Sequence, residues 1–160
     1  MKNNKGFALI ELLVVIAIIA IAIGTVTVAT SSVSSNNARK CILNINAAIS
    51  RCKINTLYRE PEVFLRLRID ENNNIIAEYH EGSALFDTTV MGSARMGIAV
   101  ELGGVPQSLP VNIGFTRGKG RLLINGEEAD ENLEIHVNNS AYILEIVYLT
   151  GSHDVRIGGR

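Results

Sequence analysis

The chain has 160 residues, 47% of them hydrophobic, with sparse aromatics (5%) and no tryptophan. Its 15 basic and 16 acidic side chains leave a formal charge of −1, which argues against generic electrostatic attraction to nucleic acid. That length suits one water-soluble domain plus a membrane segment.

The first stretch is a short basic leader, Lys2 to Lys5, followed by a run of Phe, Ala, Leu, Ile and Val that reaches Ala29. Residues 7–30 would form a helix of about 36 Å, enough for the roughly 20 apolar residues a bilayer core needs. Every face of it is apolar, which predicts burial in lipid or in protein. Lys2 and Lys5 before the run keep the N-terminus cytoplasmic, against a weak counter-signal from Arg39 and Lys40. A secretory signal peptide cut near Ala29-Thr30-Ser31-Ser32, or a plain anchor, would share these features. Neither explains Glu11, since a carboxylate in a membrane helix costs about 2.5–3.5 kcal/mol and marks function by default.

Lys5-Gly6-Phe7-Ala8-Leu9-Ile10-Glu11-Leu12-Leu13-Val14-Val15 resembles the class III leader of type IV prepilins and type II secretion pseudopilins. The resemblance covers about the first 30 residues. It implies cleavage between Gly6 and Phe7 by a membrane-embedded prepilin peptidase, N-methylation of the new Phe7 amine, and a requirement for Glu11 in assembly. Ala8 departs from the threonine more common there. Phe7 and Glu11 are four residues apart and share a helix face, where amine and carboxylate relieve each other's charge in lipid. By the resemblance, Glu11 meets the terminal amine of the adjacent subunit and sets its stagger, as a polar residue sets register in a coiled coil. Losing residues 1–6 leaves 13 basic against 16 acidic groups, or −3.

Residues 31–37 are a polar Ser/Asn interlude. Then Ala38, Cys41, Ile42, Ile45, Ala48, Ile49 and Cys52 recur at spacings of three and four, a stripe that Leu57 can extend, which predicts an amphipathic helix over 37–58. Pro61 ends it. Joined to the first run, it would make a spine of about 75 Å, with Gly24 as its one obvious flexible point. Cys41 and Cys52 lie three turns apart on that stripe, about 16 Å along the axis, beyond the roughly 7 Å a disulfide spans. They read as buried thiols.

From Val63 the period is two. Val63, Leu65, Leu67 and Ile69 share one side, and 75–79 return as a second strand after a turn over 70–74. Asp70, Asn72 and Asn74 echo a calcium loop, without its glycine or distal glutamate, so a plain turn is expected. Residues 81–109 read as a variable loop containing a short strand at 96–102, with Pro106 and Pro110 bracketing a further loop. Strands follow at 111–116, 121–125, 133–137, 141–149 and 155–157. Between them lie a basic tip, Arg117-Gly118-Lys119-Gly120, an acidic turn at 126–132 and a turn at 138–140. Phe115-Thr116-Arg117-Gly118, and the Thr150-Gly151 turn before a short last strand, are similar to the GspH/FimT group of pseudopilins and minor pilins.

The expected fold is α+β: a long N-terminal hydrophobic helix, the pilin spine, packed on an antiparallel β-sheet head. The segments are a leader at 1–6, the membrane or filament-core half of the helix at 7–30, its amphipathic half at 31–60 and the head at 61–160. His80, His136 and His153 are scattered, and no nucleophile, zinc or phosphate-loop motif is present, so no enzyme, cofactor or metal site is expected. The acidic turn with Glu127, Glu128, Asp130 and Glu131 reads as a solvated charge run rather than a cation site. Arg117, Lys119, Arg121, Arg156 and Arg160 could contact nucleic acid, as in DNA-binding minor pilins of natural transformation; the negative mature charge counts against it.

The sequence thus reads as a minor pilin or pseudopilin, held by membrane lipid before assembly. Its expected partners are the peptidase, other pilin subunits and the inner-membrane assembly platform. A membrane-anchored domain that joins no filament is a further alternative.

Overall fold

The computed structural model of the chain describes residues 5–58 and 63–158, with the side chains of 5–9 and 20–34 outside the described set. Helix α1 is Lys5–Tyr58, and antiparallel strands follow it, so the class is α+β. The chain divides into two compact units, Met1–Asn36 and Asn37–Arg160.

In the first unit the described side chains are those of 10–19 and of Ser35 and Asn36. Ile10, Leu12, Leu13, Val14, Val15, Ile16, Ile18 and Ile19 are all exposed, with Glu11 the one acid among them. Among the described residues no helix is long and apolar enough to cross a membrane. Much of the run expected to do so, 7–30, falls outside the described side chains.

The second unit closes a core of its own. The predicted stripe is its floor: Ala38, Cys41, Ile42, Ile45, Ala48, Ile49 and Cys52 are buried together, whereas Leu57, in the last turn of α1, is exposed and does not extend it. Both cysteines are free thiols, as their spacing requires. Burial pushes the Cys41 thiol up to about 11 and the Cys52 thiol to about 12, because the apolar interior penalises the thiolate.

Two antiparallel sheets meet this stripe. One has six strands in the order β3-β2-β1-β6-β7-β8: β1 Val63–Ile69, β2 Asn74–Glu81, β3 Ala84–Ser93, β6 Val111–Phe115, β7 Leu122–Ile124 and β8 Glu127–Glu128. The other has five in the order β11-β10-β9-β4-β5: β4 Ile98–Leu102, β5 Val105–Gln107, β9 Leu133–Val137, β10 Tyr142–Ile146 and β11 His153–Ile157. Alternation assigns the faces. Leu65, Leu67, Ile113 and Phe115 from the first sheet and Val100, Leu133, Ile135, Leu144 and Ile146 from the second enter one cluster with the helix stripe.

Polar contacts tie residues 37–58 to both sheets. Asn44 Nδ2 donates to Met91 O at 3.2 Å, and Arg51 meets Asp87 at 2.6 Å while lying over the Tyr79 ring. On the other side, Lys53 Nζ donates to Thr150 O at 2.8 Å, and Ser50 Oγ lies 2.7 Å from His153 Nε2.

The β1–β2 hairpin forms as expected. Its turn is closed by Asp70 Oδ1, which accepts from the Asn74 backbone N–H at 2.7 Å; that hydrogen bond holds the Asp70 carboxyl below its ordinary range. In the region 81–109 the expected short strand is present as β4, but the rest corrects the expectation of a loop. It holds β3, a 3-10 turn at Ala94–Met96, β4 and β5. β3 escapes a periodicity reading because it is an edge strand with one buried side chain, Met91, placed by pairing with β2. Pro106 lies inside β5 rather than in a loop. It is tolerated because β5 is an edge strand and need not donate outward. The expected strand over 141–149 stops at Ile146, where Val147 N donates to Ser152 O and Gly151 N to Val147 O, both at 2.7 Å. The expected acidic turn contains the two-residue strand β8.

Candidate functional site

The residues that carry the sharpest chemical expectation are Gly6, Phe7 and Glu11. Gly6 and Phe7 lie in the first turns of α1, their surroundings outside the described residues. Glu11 is one helical turn further on, about 6 Å along the axis from Phe7, and on the same side of the helix. It is exposed and stands between Ile10 and Leu12, also exposed. Once that surface is buried in lipid or in protein, the carboxylate needs a cation or a proton donor, because an isolated buried charge is too costly. An amine at position 7 of the same or another chain is such a cation.

The basic residues of the last third divide. Arg117 and Lys119 are exposed on the tip between β6 and β7. Arg121 is tied to Glu128 at 3.0 Å and Arg156 is ion-paired with Glu145, so both cations are partly neutralised within the head. Arg160 lies outside the described residues. The tip is also less free than its sequence suggests. Gly120 packs against Thr150 and Lys53, and Leu122 N donates to Tyr148 O at 2.9 Å, joining β7 to the turn that follows β10. Glu127, Glu128, Asp130 and Glu131 are solvent-facing or nearly so.

The three histidines have separate surroundings. His80 stacks on Phe64, ring centroids 4.9 Å apart, and lies 3.5 Å from Glu78. Burial works to raise the Glu78 carboxyl, but Arg68 at 2.8 Å together with His80 outweighs it and holds the group below its ordinary value. His153 joins Ser50, whose hydroxyl also faces Asn46 O at 2.9 Å, a pairing that fastens the helix to β11. His136 is brought beside Glu101 and Glu134. Sequence reasoning missed that grouping. Glu134 and His136 are two apart on a strand, a usable signal, but Glu101 reaches them only through the β4–β9 register.

Residues 1–27 match the family described as the prokaryotic N-terminal methylation motif. Comparison with curated proteins and with solved structures gave no match. The match spans the leader, Gly6, Phe7 and Glu11, and ends before the head. This N-terminus is therefore a methylation motif of the kind that marks type IV prepilin-like proteins.

Proposed function

We propose that this chain is a structural, non-catalytic subunit, a minor pilin or pseudopilin. A prepilin peptidase cuts it between Gly6 and Phe7, and it then enters a type IV pilus or a type II secretion pseudopilus. The carrying observation is the methylation motif over residues 1–27, with an acid four residues after the cleavage position. In this reading α1 is the spine. Its first part spans the cytoplasmic membrane with the N-terminus inside and the head outside, then moves into the filament core. Residues 37–58 belong to the head. The assembly platform in the inner membrane and neighbouring pilins are the partners. The GspH/FimT-like ending favours a minor, tip-class subunit over a major one.

DNA capture is less well supported, because Arg121 and Arg156 already pair with carboxylates of the head. N-terminal sequencing of the protein from cells containing the peptidase tests the proposal. A start at Phe7, carrying a methylated amine, is expected. A start near Ser31 means an ordinary secreted protein, and an intact Met1 a simple anchor. Glu11→Val should leave cleavage intact and lower recovery in sheared filaments by at least about tenfold, the loss of roughly 1.4 kcal/mol or more of subunit docking. Normal incorporation would remove the role given to Glu11.

A further inference from the structure

The outer face of the five-stranded sheet carries an unusual row. Glu101 is directly opposite Glu134, Glu134 opposite Glu145, and Glu145 opposite Asp154, so four carboxylates cross β4, β9, β10 and β11 in one line. Like charges directly opposed destabilise a sheet, so such a row needs compensation. Half of it has some. Arg156 pairs with Glu145, and Asn132 Nδ2 donates to Glu145 Oε1 at 2.9 Å.

The other half converges on His136. Its Nε2 lies 3.1 Å from Glu134 Oε2 and 3.8 Å from Glu101 Oε2, and the three ligand atoms lie within 4.8 Å of one another. The imidazole is 12% exposed, while its Nε2 is buried and lacks a hydrogen-bond partner. The opposite ring nitrogen, Nδ1, is 3.1 Å from Ser140 Oγ. A proton on Nδ1, donated to that hydroxyl, leaves the Nε2 lone pair aimed at two anions. This is the way a metal-binding histidine is oriented by its outer partner.

We propose that Glu101, Glu134 and His136 bind a zinc ion on this face. The donor set is one imidazole nitrogen and two carboxylates, which suits zinc and disfavours calcium and magnesium, hard cations served by oxygen ligands. Tetrahedral bonds of about 2.0–2.1 Å place neighbouring ligand atoms about 3.3–3.4 Å apart, close to the 3.1 Å and 3.8 Å contacts of Nε2, and the three atoms, within 4.8 Å of one another, need only side-chain rotation of the part-exposed glutamates to close on an ion. The glutamates are 33% and 39% exposed, which leaves the solvent side open for water to complete the coordination. The ion neutralises the uncompensated half of the row and locks β4 to β9.

The test is calorimetric titration of the full chain, in mild detergent and stripped of metal, with Zn2+, alongside thermal melts. One equivalent of Zn2+ should bind and raise Tm, and Mg2+ and Ca2+ should do neither. Cobalt should bind without the intense thiolate absorption that would betray Cys41 or Cys52. His136→Asn and Glu134→Gln should each weaken Zn2+ binding at least about tenfold, and Ser140→Ala by about tenfold. Glu128→Gln, in the acidic turn, should leave it unchanged. Glu101→Gln and Glu134→Gln keep the side-chain shape and remove repulsion, so the metal-free variants should melt no lower than the parent and still lose the Zn2+ response. Absence of a Zn2+ response overturns the proposal. Binding that survives His136→Asn and Glu134→Gln also overturns it.

Discussion

Gly151, in the turn between β10 and β11, packs tightly against Gly120 and Phe115, and replacing it with alanine should be among the costlier small changes in the head. Its φ is +57°, in the left-handed region, so any Cβ there costs roughly 1–2 kcal/mol. The space is closed as well. A Cβ would lie 2.5 Å from the backbone oxygen of Gly120 and 2.6 Å from Phe115 Cε1. Neither can yield cheaply: the first is backbone, and the second belongs to a ring that is 2% exposed. Relieving such a clash costs about 1–3 kcal/mol, which brings Gly151→Ala to about 2–5 kcal/mol. Gly118 supplies the control. Its φ is +81°, but a Cβ there meets nothing within 4 Å, so Gly118→Ala should cost only the roughly 1–2 kcal/mol of backbone strain. Urea unfolding of a 37–160 fragment, followed by far-UV circular dichroism, measures both. Equal costs for the two variants, or a neutral Gly151→Ala, would refute the claim that the turn over 147–152 is wedged against the tip between β6 and β7.

Two further predictions concern the core. The buried thiols have raised pKa values, about 11 for Cys41 and about 12 for Cys52 against an ordinary 9.0. Unfolding therefore releases protons above pH 9; the stabilisation is whole below that pH and is lost as pH rises towards 12. Cys52 alone corresponds to about 4 kcal/mol at the far end, so the urea midpoint should fall steeply between pH 9 and 11, and Cys52→Ala should flatten that slope. Ile45→Ala should cost about 2–5 kcal/mol, because the side chain is fully buried, whereas Ile54→Ala, 56% exposed on the same helix, should stay within about 1 kcal/mol by equilibrium unfolding.

The helix stripe was readable because seven side chains obey one period and all seven are buried. β1 was readable for the same reason in the other period, with Val63, Leu65 and Leu67 buried and Phe64, Arg66 and Arg68 partly exposed; only Ile69, at the strand's end, departs from it and is exposed. β3 was not, because its place is dictated by β2 through a register with two irregularities, and its own sequence buries only Met91. The leader stands apart from both. It is a local sequence motif, so Gly6, Phe7 and Glu11 can be read without folding anything. The Glu101–Glu134–His136 grouping lies at the opposite extreme, since it exists only once β4 and β9 pair. The basic tip was half legible. Its charges are plain, but Gly120 is fixed by Thr150 and Lys53, a contact 30 or more positions away in either direction.

The two units make opposite demands on one helix, and that difference can be measured by truncation. Among the described residues the buried stripe begins at Ala38, and it belongs to the core of the second unit. A fragment starting at Asn37 keeps all seven stripe residues, together with the Asn44, Ser50, Arg51 and Lys53 contacts, and should fold and unfold cooperatively. A fragment starting at Asn46 loses Ala38, Cys41, Ile42 and Ile45, all fully buried. The two isoleucines alone are worth about 3–6 kcal/mol of transfer free energy. The two smaller residues and the Asn44–Met91 hydrogen bond add to that loss. Such a loss takes most of the roughly 5–15 kcal/mol that holds a domain together. The 46–160 fragment should therefore bind hydrophobic dye and lose amide-exchange protection in β2 and β6, whereas the 37–160 fragment keeps both strands protected. Equal protection in the two would mean that the sheets close their core without the helix, and that residues 38–45 are buried by consequence rather than by need.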